Sequence, residues 1–392
     1  MNNKKEIIDL VLNKLNKESD MSWKEVNDYL GLNYSNDHLR KISYGIKLYN
    51  DYLHEQGIEN ATDEQLIELN EKITELKKER TKNQDLRTYI NRMCREDARR
   101  EKILEYAQDI ANQLNKQLPL ITESVELNNI EDNEGILTLS DLHIGLETNN
   151  HWNKFDMDIL LQRLNYLKEK TITYAKQNNI KKLNILCIGD IINGLLHTTT
   201  RIENQEDVAD QTVHAAEILA EFIYSLAETK LFSIDIYYSV GNHGRITPNK
   251  SDSLDGENFE YFIKYILKSR CRNMKNVIFK ENKYDKELIY FECLGWKIAA
   301  CHGDKFGNKN NIVQRITSMI GEVPNYVCIG HLHHSYMDTI GNCELIINGS
   351  LSGTDSYAKN LGLVSRPSQN LLIINKDIGK LCLYNIYLDC ME

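Results

Sequence analysis

Proline is scarce and unevenly placed. The 392 residues contain four, and none precedes Pro119. Without the residue that most strongly breaks helices, the first 118 positions read as helix almost throughout. Long apolar runs are missing as well. No segment approaches the roughly 20 consecutive apolar residues that span a bilayer. The opening MNNKKEIIDLVLNKLNKE turns polar too soon for the apolar block and small-residue cleavage site of a signal peptide. A cytoplasmic protein without a membrane partner is the expectation. The nine cysteines form no CxxC pair, and their number is odd, which speaks against a structural Cys-zinc site and for a reduced compartment. Cys187, Cys301 and Cys328 lie inside apolar runs, where a thiol acts as a small hydrophobe. Positive charge is in deficit: the formal net charge is −10. That argues against nucleic acid as a partner of the whole surface, but the balance is local. From Lys72 to Lys102 there are 11 Lys/Arg against six Asp/Glu, enough for a basic face toward phosphate backbone. A solvated helix surface of mixed charge reads the same way.

What is present is 41% hydrophobic and 27% charged, a composition able to bury a core. Four regions are expected. Residues 1–58 form a helical unit. Within it Ser22 and Glu25 make a capping box, Val26 and Leu30 share a face, and Gly31 ends the helix. Ser35 opens a second helix with Leu39, Ile42 and Ile46 inward and Asn36, Arg40, Lys41, Tyr44 and Lys47 outward. This is the helix-turn-helix arrangement for reading DNA, although a plain packing or oligomerisation unit looks similar. Residues 59–118 carry heptad-like apolar spacing broken near Arg80–Asp85, which predicts a helical hairpin or interrupted coiled coil and offers a seam for a homodimer. Residues 119–133 are a polar, acidic linker. From 134 to 392 short apolar runs alternate with amphipathic helices, an α/β pattern.

Five short motifs carry the chemistry, each after a strand-like run. GILTLSDLH presents Asp141 and His143, LNILCIGD presents Asp190, IDIYYSVGNH presents Asn242 and His243, KIAACHGD presents His302, and NYVCIGHLHH presents His331 and His333. Ligands of open α/β sheets bind beyond the carboxyl ends of strands, so one crevice gathers all five. Imidazole, carboxylate and amide oxygen together suit divalent transition ions, and Asp190 has two oxygens with which to bridge a pair of ions about 3.5–4 Å apart.

In this order and spacing the motifs resemble the calcineurin-like metallophosphoesterases over roughly residues 134–390. The resemblance implies a four-layer αββα sandwich. It implies one ion held by Asp141, His143, Asp190 and His333, and a second held by Asp190, Asn242, His302 and His331. His243 would then be no ligand but the general acid that protonates the leaving oxygen. The implied cofactor is a pair of divalent ions, manganese first, with iron, zinc or nickel as alternatives. Many members read GNH followed by Asp or Glu; here Gly244 and Arg245 follow, so the group that orients His243 has to come from elsewhere. Arg245 is either a phosphate-binding fork or an ordinary loop arginine. His197 and Arg201 fall in a polar loop expected at the rim, and Asp304 is placed to accept a hydrogen bond behind His302. The Gly/Ser-rich stretch from Asn348 to Gln369 is expected over the site; with GNHGR it is similar to a bacteriophage-encoded branch, which would put the protein in a host cytoplasm.

Three functions remain open. The first is a DNA nuclease resembling the manganese-dependent break-repair branch. The second is a phosphodiesterase or phosphatase for nucleotides or another small ester. The third is a DNA-binding or scaffold protein with a residual phosphoesterase core. Protein-phosphatase activity is disfavoured, because GDIINGL lacks the GDxxDRG segment of that branch.

Overall fold

The computed structural model describes residues 4–31, 34–59, 62–114, 117–124, 132–196, 201–247, 249–250, 253–254, 256–306 and 309–389. The chain divides into two compact units, Met1–Ala98 and Arg99–Glu392.

The first unit contains α1 (Lys4–Leu15), α2 (Trp23–Leu30), α3 (Asn36–Glu59) and the start of α4 (Asp63–Leu114). The capping box forms as the sequence predicts. Ser22 Oγ accepts from the Glu25 amide, and a Glu25 carboxylate oxygen accepts from the Ser22 amide at 2.6 Å. Gly31 closes α2 in the left-handed region, φ 64°. Val11, Val26, Leu30 and Leu39 make the small core, with Ile46 packed against it. The inward face expected of α3 is corrected at one position: Ile42 is 38% exposed, and Ser43 is buried instead. From Leu39 the helical repeat reaches 43 and 46 on one face, and Ser43 hides its hydroxyl by donating to Leu39 O at 2.7 Å. Arg40, Lys41 and Tyr44 are exposed, while Lys47 is half-buried and donates to Asn16 Oδ1 at 3.2 Å.

The expected hairpin or interrupted coiled coil at 59–118 is also corrected. α4 is one helix of 52 residues that runs straight through Arg80–Asp85. The reason is local: α4 contains neither Gly nor Pro, and a polar stretch of Lys, Arg, Asn and Gln interrupts an apolar seam without breaking a backbone of good helix formers. Leu69, Ile73, Leu76, Leu86, Ile90 and Met93 are exposed along it.

In the second unit the last turns of α4 join the core. Ile110 is buried and Tyr106 packs edge-on against Phe259 at 5.8 Å. Part of the expected linker docks here too, since Thr122 is buried and bridges to Met274, and Leu120 packs on the core. The remainder of that linker, 125–131, lies outside the described residues. There follow β1 (Asn133–Leu139), a small hairpin of β2 (Thr148–Asn149) and β3 (Lys154–Phe155), α5 (Met157–Gln177), β4 (Lys182–Ile188), α6 (Val208–Ala227), β5 (Ser233–Ser239), α7 (Glu260–Arg270) and β6 (Val277–Phe279). Then come β7 (Ile289–Cys293), β8 (Trp296–Cys301), α8 (Lys309–Ile320), β9 (Tyr326–Ile329), β10 (Tyr336–Ile340) and β11 (Cys343–Ile347). α9 (Ser356–Asn360), β12 (Ser368–Asn375) and β13 (Gly379–Tyr387) complete the chain.

A six-stranded sheet runs β13-β12-β1-β4-β5-β6 and a five-stranded sheet runs β10-β11-β9-β8-β7. Alternation along the strands explains the layers. In β4, Leu183, Ile185 and Cys187 face α5, α6 and α7, whereas Leu186 and Ile188 face the second sheet. Val327 and Ile329 of β9 pack on α8 through Ile312 and Ile316. The result is the αββα sandwich. Cys187, Cys301 and Cys328 are buried and unpaired.

Two sets of parallel strands end together. β1, β4 and β5 pair in parallel, with Leu139 opposite Cys187 and Ile188 opposite Ser239. β8 and β9 also pair in parallel, with Cys301 opposite Ile329. All five motifs follow these five strand ends.

Candidate metal centre

Past β1, β4 and β9 the backbone passes through left-handed residues. Asp141, His143, Asp190, His331 and His333 all take φ between 49° and 68°, a region that costs a non-glycine residue about 1 kcal/mol or more. Such strain persists only where the surroundings over-determine it. Here they do: the Asp141 and His143 amides donate to Gly189 O and Asp190 O, both at 3.1 Å, and the Leu351 amide and Ser350 Oγ donate to Asp141 O. Behind Ser140, Gln369 and Asn348 form a buried hydrogen-bonded network.

The side chains converge in two overlapping groups. In Asp141, His143, Asp190 and His333 the ligand-type atoms lie within 4.8 Å of one another, and the same holds for Asp190, His302 and His331. His143 Nε2 lies 3.3 Å from His333 Nε2, which lies 3.3 Å from Asp141 Oδ1. Asn242 Oδ1 joins the second group, 3.0 Å from His302 Nε2. His331 and His333 thus fall to different groups although they are two residues apart.

This donor set fits a pair of divalent cations. Asp190 Oδ2 is buried without a hydrogen-bond partner, although His302 Nε2 is 3.0 Å away. Apart from its ion-pair contacts with His302 and, at 3.9 Å, with His243, this oxygen has no donor, and a buried carboxylate so sparsely held is costly unless a cation takes it. Asp190 Oδ1 is engaged, accepting from the His243 amide at 2.8 Å. The His302 Nδ1–H donates to Ile188 O at 3.0 Å, which turns Nε2 toward the cage. Electrostatics agree. Burial disfavours charge on Asp190, yet His302, His243 and His143 hold its carboxyl well below the usual range. Burial also opposes charge on His302, and the Asp190 carboxylate overrides it, pushing the imidazole up to about 10.

His243 stands beside the cage. Its Nδ1–H donates to the Asn193 carbonyl at 2.8 Å, so the orienting group missing from the motif is a backbone oxygen of the loop after Asp190. Its Nε2 is 3.9 Å from Asp190 Oδ2. Gly244 is explained as well, since a Cβ there would lie 2.1 Å from Asn258 Oδ1 and 2.8 Å from Glu260 Cγ. The space that an Asp or Glu at 244 needs is already filled.

A cavity of about 460 Å³ opens over the cage, floored by Asp190, Asn242, His243, His331 and His333. Its far wall is Asp355, Tyr357, Leu361, Leu363 and Val364, from the stretch expected to lie over the site. Arg245 is not in it. Arg245 donates from Nε to Asn242 O and lines a neighbouring hollow of about 230 Å³ with Lys250 and Lys305. Asp304 lines that hollow as well; the acceptor behind His302 is Ile188 O rather than Asp304. Arg201 is exposed and is not among the described residues that line either space. His197 lies outside the described residues.

Sequence reading missed Glu260 and Asn258, buried residues that bind the loops on either side of the cage. No motif marks them.

A family model for the calcineurin-like phosphoesterase superfamily domain matches residues 136–365. The chain belongs to that superfamily. Its sequence is also similar to the SPbeta prophage-derived uncharacterized protein YonJ of Bacillus subtilis (strain 168), 24% identical over 382 residues that cover 94% of this chain and 93% of that one. Two solved structures are similar to part of the chain. A conserved uncharacterized protein of Streptococcus pneumoniae TIGR4, described as a predicted phosphoesterase, has 14% identity and a TM-score of 0.32, covering 66% of this chain and 92% of its own. A novel archaeal phosphodiesterase has 12% identity and a TM-score of 0.32, covering 64% and 99%. As a superfamily member the chain is a hydrolase of phosphoester bonds with a site able to hold divalent metal. No described helix is long and apolar enough to cross a membrane.

Proposed function

We propose that the protein is a manganese-dependent DNA nuclease of the cytoplasm, a host cytoplasm if the chain, like its prophage-derived relative, is phage-encoded. The observation that carries the hydrolytic part is the pair of overlapping ligand groups under an open cavity, with the His243 imidazole at its edge. Asp141, His143, Asp190 and His333 would hold one ion, and Asp190, Asn242, His302 and His331 the other. When bound, such ions acidify a water and neutralise the oxygens of a phosphoryl group. The chain's own residues do the rest. The Asn193 carbonyl fixes the Nδ1–H of His243, and His243 Nε2 holds a proton for the departing oxygen.

DNA as the substrate is supported by the first unit. Arg40, Lys41 and Tyr44 stand exposed on α3, the second helix of a helix-turn-helix-like pair joined at Gly31. The exposed basic residues of α4, Lys72 to Lys82 among them, add a face suited to phosphate backbone. Exposed apolar side chains along the same helix support pairing of two copies. A small nucleotide ester is the second reading, favoured by the apolar wall of Leu361, Leu363 and Val364, which suits one substituent better than a duplex.

Labelled single- and double-stranded DNA, incubated with Mn2+ beside a bis-aryl phosphodiester, separates these. Cleavage of DNA is expected. Intact DNA with hydrolysis of the aryl ester moves the function to the second reading, and no turnover of either sinks both.

A further inference from the structure

Glu260 is fully buried at the start of α7, and its carboxylate is spent on two backbone amides. One oxygen accepts from Ile191 N at 2.6 Å and the other from Gly241 N at 2.7 Å. Ile191 directly follows Asp190, and Gly241 directly precedes Asn242. The two loops so joined carry two of the four residues assigned to the second ion. Neighbours of Glu260 tighten the same hold. Asn258 Nδ2 donates to Gly241 O at 2.7 Å, Asn258 Oδ1 accepts from Glu260 N at 2.8 Å, and Phe259 N donates to Gly244 O at 2.7 Å. Asn258–Glu260 therefore straddles the GNHG loop.

On the reading of the cage as a two-ion site, we propose that Glu260 is a positioning residue that sets the spacing of the Asp190 and Asn242 loops and thereby the filling of the second ion position.

Three physical points support this. The loops are in direct contact, since a Cβ on Gly241 would lie 2.2 Å from Asp190 N, so their separation has little slack. Both oxygens of one rigid carboxyl group are used, one per loop, at 2.6 and 2.7 Å, the short end of the N–H···O range. A single planar group that accepts from both sides fixes a distance, which two separate hydrogen bonds would not. The first ion position depends less on the clamp, because Asp141, His143 and His333 come from other loops.

Glu260→Gln is the test. The amide is nearly isosteric but accepts through one atom only, so one loop's N–H must face an NH2 group. Mn2+ binding to the full-length protein is measured by titration, together with the electron paramagnetic resonance signature of a coupled ion pair. Wild type is expected to bind two ions. The variant is expected to bind one as tightly as wild type and the second about 10–100-fold more weakly, with the coupled signal replaced by that of isolated Mn2+ at stoichiometric metal. Two ions of unchanged affinity in the variant overturn the proposal while leaving the two-ion reading intact. A parallel weakening of both ions also overturns it, since that marks general destabilisation. Fewer than two ions in wild type removes the reading beneath it and the proposal with it. Should Glu260→Gln fail to fold, Asn258→Asp removes the donor to Gly241 O while keeping the acceptor for Glu260 N. The same selective loss at the second ion is expected there, and its absence is equally decisive.

Discussion

The unit Met1–Ala98 rests on four buried apolar side chains, Val11, Val26, Leu30 and Leu39, whereas Arg99–Glu392 stacks two sheets and their helices around three separate apolar clusters. The difference maps onto the chemistry each is assigned. A cage of strained ligands needs surroundings that cannot relax, and the layered core supplies them. A surface that meets a polymer backbone needs exposed charge on a scaffold that tolerates local opening, and a small helical unit suffices. Buried packing is extensive around the ligand cage and slight in the helical unit with the exposed basic residues.

Breaking the second unit's advantage should have the largest effect. Asp190→Asn removes the carboxylate common to both groups. Phosphodiester turnover is expected to fall by roughly a thousandfold or more, from rate enhancements of at least about a millionfold. Bound metal should fall with it, while the helical signal of the whole chain, read by far-UV circular dichroism, stays unchanged. His243→Ala comes next, with a loss in kcat of about 10²–10⁴-fold. Two ions should still bind, and the loss should shrink for aryl esters, whose leaving group needs little help from an acid. Retention of full activity on an alkyl ester would remove His243 from the mechanism.

Acidity sharpens the comparison further. His302 is pushed up to about 10 by Asp190, and Asp141 raises His333 against the opposing effect of burial. With its imidazole raised to about 10, His302 binds a second proton at neutral pH in the absence of a cation, and a divalent ion has to displace it. Mn2+ affinity should rise from pH 6 to pH 9 with release of protons, as calorimetry in buffers of different ionisation heat would show; flat affinity contradicts it.

Smaller effects belong to the first unit. Leu39→Ala takes a buried side chain from a core of four and should cost about 2–5 kcal/mol, enough to unfold a marginal unit. DNA binding is then lost while aryl-ester turnover continues. Arg40→Ala should do least, flattening the salt dependence of DNA affinity by about one unit of slope. An unchanged slope would take Arg40 off the DNA-facing surface.

Much of the second unit was legible because its signals are contiguous. Each metal motif joins an apolar strand to its ligand within about ten residues, so strand, turn and ligand are read together. The helical register of α3 was less so. Leu39, Ile42 and Ile46 were assigned by hydrophobicity, and a serine that satisfies its own hydroxyl took the buried place of Ile42. At Arg80–Asp85 a gap in the apolar seam looked like a gap in the helix, and only the lack of Gly and Pro showed otherwise. Glu260 was invisible for a different reason. Its partners lie 69 and 19 residues away, and a carboxylate near a helix start reads from sequence as a capping charge.

The orientation of His243 by the Asn193 carbonyl has a consequence for how this activity can be lost through mutation. An acceptor carried by the main chain has no codon of its own. Every replacement at position 193 keeps the oxygen, so a scan of single substitutions would score that position as tolerant if the loop stays in place. The carbonyl belongs to the Asn193–Gly194 peptide, whose Gly194 N–H donates to Gln211 Oε1 at 2.9 Å, and the residue is pinned on its other side by its own amide to Ile144 O at 3.0 Å and by its side chain to Asn204 at 2.7 Å. Inheritance of the orienting bond therefore lies with the shape of the loop, spread over several weak determinants, and drift at any one of them would erode it gradually.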